Sequence, residues 1–237
     1  IRALCEAMIE ENLNVFWWCQ TQVRLIDEDL LKVMKKAGCI EIAYGVESGS
    51  DVMLEDMKKE INVDIIRDVL EATDRANIRI SLNLLAGTPA ETVDTLRETR
   101  DFLIALNYIN WANVPAIEFV VPLPGTELFD TAVAKGLIDD PETFVVEALA
   151  KMEKYSKSIN MTQMSSEEFI STVKRFNQEI SRDFYTKHPL RLFLSLFGAE
   201  HLRLDLIFCH FSLKQIVPLF DALFWVTIGK HMHHFSK

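Results

Sequence analysis

Histidine is missing from the first 187 residues, and all six histidines of the 237-residue chain lie between His188 and His234. The longer part of the chain therefore houses neither a Ser–His–Asp triad nor a two-histidine zinc site. Cysteine is scarce: Cys5, Cys19, Cys39 and Cys209 have spacings that fit neither a zinc knuckle nor a disulfide framework, as expected of a protein in a reducing cytosol. No basic stretch followed by an apolar run opens the chain, so no secretion signal is visible, and a first residue of Ile1 suggests a piece of a longer protein. Basic residues are outnumbered, 25 to 35, and the net charge of −10 argues against a nucleic-acid partner gripped through phosphates.

The charge is uneven. From His188 to Lys237 there are five Lys/Arg and three Asp/Glu, a net of +2, which leaves −12 for residues 1–187. Seven of the fifteen phenylalanines fall in the same last fifty residues, so two regions of different character share the chain.

Four short apolar runs recur in the first region, each followed by a helical pattern. Val15–Cys19 predicts a strand, and Asp27 then caps a helix carrying Leu30, Leu31, Val33 and Met34 that stops at Gly38. Ile40–Tyr44 predicts a second strand ending at Gly45, followed by a helix from Val63 to Ala76. Ile78–Leu85 is the third strand and Thr92–Leu106 the next helix; Val114–Val121 is the fourth strand, and Thr126 caps a helix to Lys135. This rhythm is that of βαβ units and a parallel sheet. Four units are too few for a closed eight-stranded barrel, and spacing alone does not choose between an open doubly wound sheet and a partial barrel. After Pro141 the strand signal ends, Ser165-Ser166-Glu167-Glu168 starts a helix, and the tail from Pro189 is apolar and aromatic.

Ligands of parallel α/β folds sit at the C-terminal ends of the strands. There this chain places Gly45-Val46-Glu47-Ser48-Gly49-Ser50, then Ala86-Gly87-Thr88-Pro89-Ala90-Glu91-Thr92, then Pro122-Leu123-Pro124-Gly125-Thr126, with Gln20, Thr21 and Arg24 near the end of the first strand. Any one of these is an ordinary turn. Together they predict one mouth in which Glu47 suits an amine or ribose hydroxyl and backbone N–H groups suit a carboxylate or ribose.

Taken in order, Arg24, Ala37-Gly38-Cys39, Gly45–Ser50, Leu54-x-x-Met57-x-Lys59, Leu85-x-Gly87-x-Pro89-x-Glu91-Thr92 and Pro122-x-Pro124-Gly125-Thr126-x-Leu128 resemble the middle of the radical S-adenosylmethionine (radical SAM) core over about residues 12–140. The likeness is nearest to members that carry a cobalamin-binding domain ahead of the barrel. It implies an α/β fold, a partial (β/α) barrel of the radical SAM, TIM-like type over residues 1–140, with an α-helical extension over 141–237. It further implies S-adenosylmethionine beside a [4Fe–4S] cluster, a 5′-deoxyadenosyl radical, cobalamin in the parent protein, and a reductant such as flavodoxin or ferredoxin.

By the same likeness, Glu47 and Ser48 would contact the methionine or ribose part and Arg24 the carboxylate. Gly87 and Thr88 would pack at the adenine end, Glu91 would steady that turn, and Val121 would face adenine. The family's C-x3-C-x2-C triplet does not occur in this sequence, so the cluster ligands are expected upstream of Ile1. Asn83 stands where the third-strand motif has glycine, and Ala90 where its turn has glycine.

Two other functions stay open: a clusterless binding module or pseudo-enzyme, and an ordinary barrel enzyme using Glu47 and Glu91 as an acid–base pair. The substrate is expected to be a small or lipid-like molecule. The tail from Pro189 to Ile228, within a last fifty residues of net +2 and with Trp225 between Lys214 and Lys230, suits either a cytoplasmic membrane surface or a lid over the open barrel. His231, His233 and His234 read as incidental.

Overall fold

The computed structural model describes residues 1–150 and 159–196. Among them two compact units are distinguished, Ile1–Phe184 and one beginning at Tyr185. In the second unit the described part holds the end of a long helix and the helix Pro189–Leu196; the rest of the tail and the C-terminal histidines lie outside the described residues. No described helix is long and apolar enough to cross a membrane.

Four parallel strands build the first unit: β1 (Trp17–Thr21), β2 (Cys39–Glu47), β3 (Arg79–Ala86) and β4 (Glu118–Phe119), in the spatial order β1-β2-β3-β4. An order that never reverses, joined by crossovers of one hand, stacks every helix on one face of the sheet. A doubly wound sheet needs a reversal. The winding is therefore that of a (β/α) barrel, and it decides what the spacing alone left open.

Helices α1 (Arg2–Glu10), α2 (Glu28–Lys36), α3 (Asp51–Asp56), α4 (Val63–Arg75), α5 (Val93–Ala105), α6 (Glu127–Ala134), α7 (Pro141–Ala150) and α8 (Ser166–Lys187) follow in chain order. Each helix that returns from the mouth is capped by a short polar side chain. Asp27 accepts from Leu30 N at 2.7 Å, Asn62 from Ile65 N at 2.9 Å, Thr92 from Thr95 N at 3.2 Å and Thr126 from Phe129 N at 3.2 Å. Apolar stripes bury one helix face: Leu30, Leu31 and Met34 on α2, and Ile66, Leu70 and Thr73 on α4. They meet Ile42, Tyr44, Val46, Ile80 and Leu84 of the sheet, and the Tyr44 hydroxyl bonds Thr73 Oγ1 at 2.7 Å.

The fourth strand is much shorter than Val114–Val121, for a chemical reason. Pro115 has no N–H to give to a ladder. Both backbone groups of Ile117 are taken by the Asn177 side chain of α8, at 2.8 and 2.9 Å. β3 is instead flanked in two pieces, by the bridge Ile80–Trp111 low down and by β4 at the top. Helix α8 buries Phe169, Val173, Phe176, Ile180 and Phe184 along one stripe and is tied to α5 by Arg100–Glu179 at 2.8 Å.

The turn after β2 sits hard against α5. A Cβ on Gly49 would lie 2.8 Å from Phe102 Cβ and 2.9 Å from the Thr99 Cα. Gly49→Ala is expected to destabilise the fold by about 1–3 kcal/mol through overpacking, read as a lowered urea midpoint; an unchanged midpoint would show that the turn has room to move.

Candidate functional site

Four described non-glycine residues have left-handed backbone: Asn12, Glu47, Lys58 and Asn77. Three of them end helices. Asn12, Lys58 and Asn77 each follow a C-cap residue, with the paired amide-to-carbonyl bonds of a Schellman motif closing α1, α3 and α4 (Leu13 N to Met8 O, Lys59 N to Leu54 O, Ile78 N to Thr73 O). Glu47 ends no helix. It sits at φ 72° at the last position of β2, where the register with β3 slips between Gly45 and Glu47. A charged side chain held there costs about 1–2 kcal/mol of backbone strain.

The bulge turns the Glu47 carboxylate back over Gly45, so closely that a Cβ added to Gly45 would come within 3.1 Å of Oε1. Lys59 Nζ donates to the same oxygen at 3.0 Å, in a half-buried pair. The Schellman turn at Lys58 delivers Lys59 to this place, twelve residues after its partner. Beside the pair, a cavity of about 300 Å³ is lined by Gln22, Arg24, Gly45, Lys58, Lys59 and Glu60, among others. Arg24 is exposed and held by Gln22 Oε1 at 2.8 Å and Glu60 Oε2 at 3.1 Å. The cavity thus joins three cationic side chains to the Glu60 carboxylate, next to the Glu47–Lys59 pair, a setting matched to a zwitterionic ligand head.

Ser48 and Thr88 lie at strand ends as expected, and both are buried. Ser48 is 2% exposed and its hydroxyl meets Thr99 Oγ1 at 3.1 Å; Thr88 is 7% exposed and its hydroxyl has no partner. In Glu47-Ser48-Gly49-Ser50 only the first residue is presented; the rest dock β2 onto α5. Gly87, at φ 113°, brings the loop within reach of Phe169, Val120 and Ile159, and its carbonyl accepts from Met161 N at 3.2 Å. Val121 is 42% exposed beyond β4.

Glu91 is 2% exposed. Its Oε1 accepts from Thr95 Oγ1 at 2.8 Å, the Gly87 amide also donates to the carboxylate, and Oε2 has no partner. Burial pushes its pKa up to about 7, against those two hydrogen bonds. Held behind the Gly87 turn, it does not meet a substrate directly, so the structure does not pair it with Glu47 for acid–base work. Thr99 was missed by the sequence reading, and Lys59, present in its motif, was given no role there, since each acts through a partner far along the chain.

No described group of histidines, cysteines and carboxylates is placed to hold a metal ion. Cys5 and Cys39 are buried; burial raises the Cys5 thiol, and a hydrogen bond with Cys19, then burial, raises that of Cys39.

The sequence profile of the radical SAM superfamily matches residues 2–103. Curated relatives include an uncharacterized methyltransferase of Pyrococcus horikoshii, 28% identical over 129 residues, which cover 54% of this chain and 27% of that protein. The anaerobic magnesium-protoporphyrin IX monomethyl ester cyclase of Cereibacter sphaeroides is 30% identical over 133 residues, covering 53% of this chain and 20% of that protein. The chain spans about a quarter of the length of such relatives. Among solved structures, coproporphyrinogen III oxidase from Escherichia coli, a radical SAM enzyme, superposes with a TM-score of 0.51 at 13% identity, over 77% of this chain and 37% of that one. The radical SAM methyltransferase TsrM from Kitasatospora setae, with cobalamin and a [4Fe–4S] cluster bound, gives 0.50 at 18% identity, over 56% and 27%. Both show the barrel fold.

The buried Glu91 makes a pH test available. Below its ordinary value of 4.5 the carboxyl is protonated folded or unfolded; between 4.5 and about 7 the folded state holds the extra proton, so stability falls as pH rises and levels off above 7. Glu91→Gln should flatten that fall and be more stable than the parent at pH 8 but not at pH 4, by urea unfolding. Parallel curves for the two proteins would refute the assignment.

Proposed function

We propose, from the match of residues 2–103 to the radical SAM superfamily profile, that this chain is the S-adenosylmethionine-binding part of a radical SAM enzyme, with Glu47 as the residue that grips the cofactor. One observation carries the reading. Among the described residues, Glu47 is the only non-glycine with left-handed backbone that no helix end explains, and its carboxylate is bonded to Lys59, one of three cations that line a cavity beside it. Strain kept at a charged residue in such a mouth is accounted for by binding.

The residues present fit S-adenosylmethionine. Glu47 suits the amino group or a ribose hydroxyl, and Arg24, with Lys58, suits the carboxylate. Gly87 and Val121 edge the next two strands, where an adenine ring would lie. The bound cofactor, cleaved reductively, supplies a 5′-deoxyadenosyl radical; what this chain's residues do is hold, orient and neutralise the ligand. A [4Fe–4S] cluster does not fit this chain's own residues, because no three thiols are grouped for it among the described residues. Its ligands would come from cysteines elsewhere in the enzyme. Relatives described as methyltransferases and a cyclase, and the fold shared with the cobalamin-containing methyltransferase, support a group-modifying reaction on a small molecule, with cobalamin as a further cofactor of the parent and a flavodoxin or ferredoxin as reductant.

Glu47→Gly separates function from fold. It relieves the left-handed strain, so stability should change by less than about 1 kcal/mol, while the affinity for S-adenosylmethionine in isothermal titration falls at least tenfold. Unaltered affinity would remove Glu47 from the site. Anaerobic reconstitution of the 237-residue chain should give well under four iron atoms per chain; four iron atoms, with broad absorption near 400 nm, would contradict the cluster's placement.

A further inference from the structure

Two adjacent residues of one short connector carry opposite charges onto the two side chains that flank the mouth. Between α3 and α4, Lys59 Nζ donates to Glu47 Oε1 at 3.0 Å, at the end of β2. Its neighbour Glu60 accepts through Oε2 from Arg24 Nη1 at 3.1 Å, just beyond β1. Lys58, one residue earlier, reaches Glu127 Oε2 on α6 at 3.0 Å. Three consecutive residues thus fan ion pairs to the segments at the ends of β1, β2 and β4. All three line the cavity of about 300 Å³ together with Arg24 and Gly45.

The backbone of this connector is fastened at both ends. Lys59 N bonds Leu54 O at 2.8 Å, the Asn62 side chain caps α4, and Val63 N donates to Asp51 Oδ1 at 2.8 Å. The side chains are what can change partners, and the two pairs at the mouth differ in strength. Arg24–Glu60 is exposed on both sides, so water and salt screen it and it contributes little. Lys59–Glu47 is half-buried and screened less.

We infer that the Lys59 and Glu60 side chains are a built-in substitute for the amino-acid head of the cofactor, an autoinhibitory contact that an incoming zwitterion displaces. An ammonium on Glu47 and a carboxylate on Arg24 are the contacts proposed above for that head, and the inference rests on that reading. In this structure Lys59 and Glu60 already supply both. On exchange, Glu47 and Arg24 take the ligand's two charges and Lys59 and Glu60 turn to water. A ligand bearing both charges releases both pairs, whereas one without the head releases neither. Occupation by the chain's own side chains lowers the apparent affinity by the fraction of time the mouth is free. Removing either side chain therefore tightens binding. For Glu60 the sign is diagnostic. S-adenosylmethionine carries net positive charge, so loss of a nearby carboxylate would by Coulomb attraction alone weaken binding; displacement demands the opposite.

The test is isothermal titration of the 237-residue chain and three variants with S-adenosylmethionine and with 5′-methylthioadenosine, which lacks the amino-acid head. Glu60→Gln should tighten S-adenosylmethionine about two- to fivefold, the most that an exposed pair allows. Lys59→Met should tighten it by more than Glu60→Gln does. Glu55→Gln, a carboxylate beside Lys58 and Lys59 in the neighbouring cavity with no tie to Arg24, should not tighten it. The affinity for 5′-methylthioadenosine should be the same in all four proteins. The Glu60 side chain is 81% exposed, so its amide variant folds as the parent does and the decisive comparison stays readable. Unchanged or weaker binding of S-adenosylmethionine by Glu60→Gln would overturn the inference, as would a gain shared by Glu55→Gln or by 5′-methylthioadenosine. If Glu47→Gly loses affinity as expected while Glu60→Gln gains none, this contact alone falls and the cofactor reading stands. If Glu47→Gly binds like the parent, or S-adenosylmethionine binds none of the proteins, the cofactor reading falls and takes this inference with it.

Discussion

The hydroxyl of Thr99 holds the mouth end of the sheet onto the helix layer. It donates to Thr95 O at 3.2 Å and accepts from the Gly49 amide at 3.0 Å, while Ser48 Oγ meets it at 3.1 Å and in turn accepts from Ser50 N at 3.2 Å. All of these groups are buried, so each bond is made where water does not compete. Losing the threonine hydroxyl would strand the Gly49 amide and the Ser48 hydroxyl together. The bulge at Glu47 lies one residue upstream of this knot. With β2 pinned there, the chain has no slack in which to relax Glu47 to an ordinary extended conformation, and Lys59, arriving from α3, finds the carboxylate already in position.

Helix identities were legible in the sequence because their causes are local. Asp27, Thr92 and Thr126 cap where short polar residues precede apolar stripes. β2 was read two residues short, since Gly45 looked like its end; the strand continues through it because Gly45 makes an ordinary ladder pair with Asn83. The fourth strand was read too long because Asn177 is sixty residues away from the Ile117 amide it satisfies. Helix α1 was missed although Cys5, Met8 and Ile9 carry a helical spacing, and α3 is too short to show a period. The site divided in the same way. Glu47 and Arg24 stood out as polar residues at strand ends. That Ser48 and Thr88 turn inward depends on the packing of α5 and of the segment around Met161, which no local pattern announces.

Two glutamates at neighbouring strand ends illustrate how one residue type is given two jobs. Glu47 is half-exposed, ion-paired with Lys59 and carried on strained backbone, which suits a group that exchanges partners when a ligand arrives. Glu91 is enclosed, bonded to Thr95 and the Gly87 amide, and is near half protonation at neutral pH. It braces the loop that carries Gly87 without being reached from outside. The separation explains why a carboxylate acid–base pair, although compatible with the sequence, is not what the structure builds.

The bonds from Asn177 to both backbone groups of Ile117 also set an order of events during synthesis. The end of β4 is complete only after a further sixty residues have been made, roughly 3–12 s at 5–20 residues per second. Until then the three longer strands stand with β3 as a bare edge beside unpaired amides, a template to which another nascent chain could add. Asn107, which donates to Ile180 O and Asp183 Oδ2 at 3.2 and 2.8 Å, waits for the same helix.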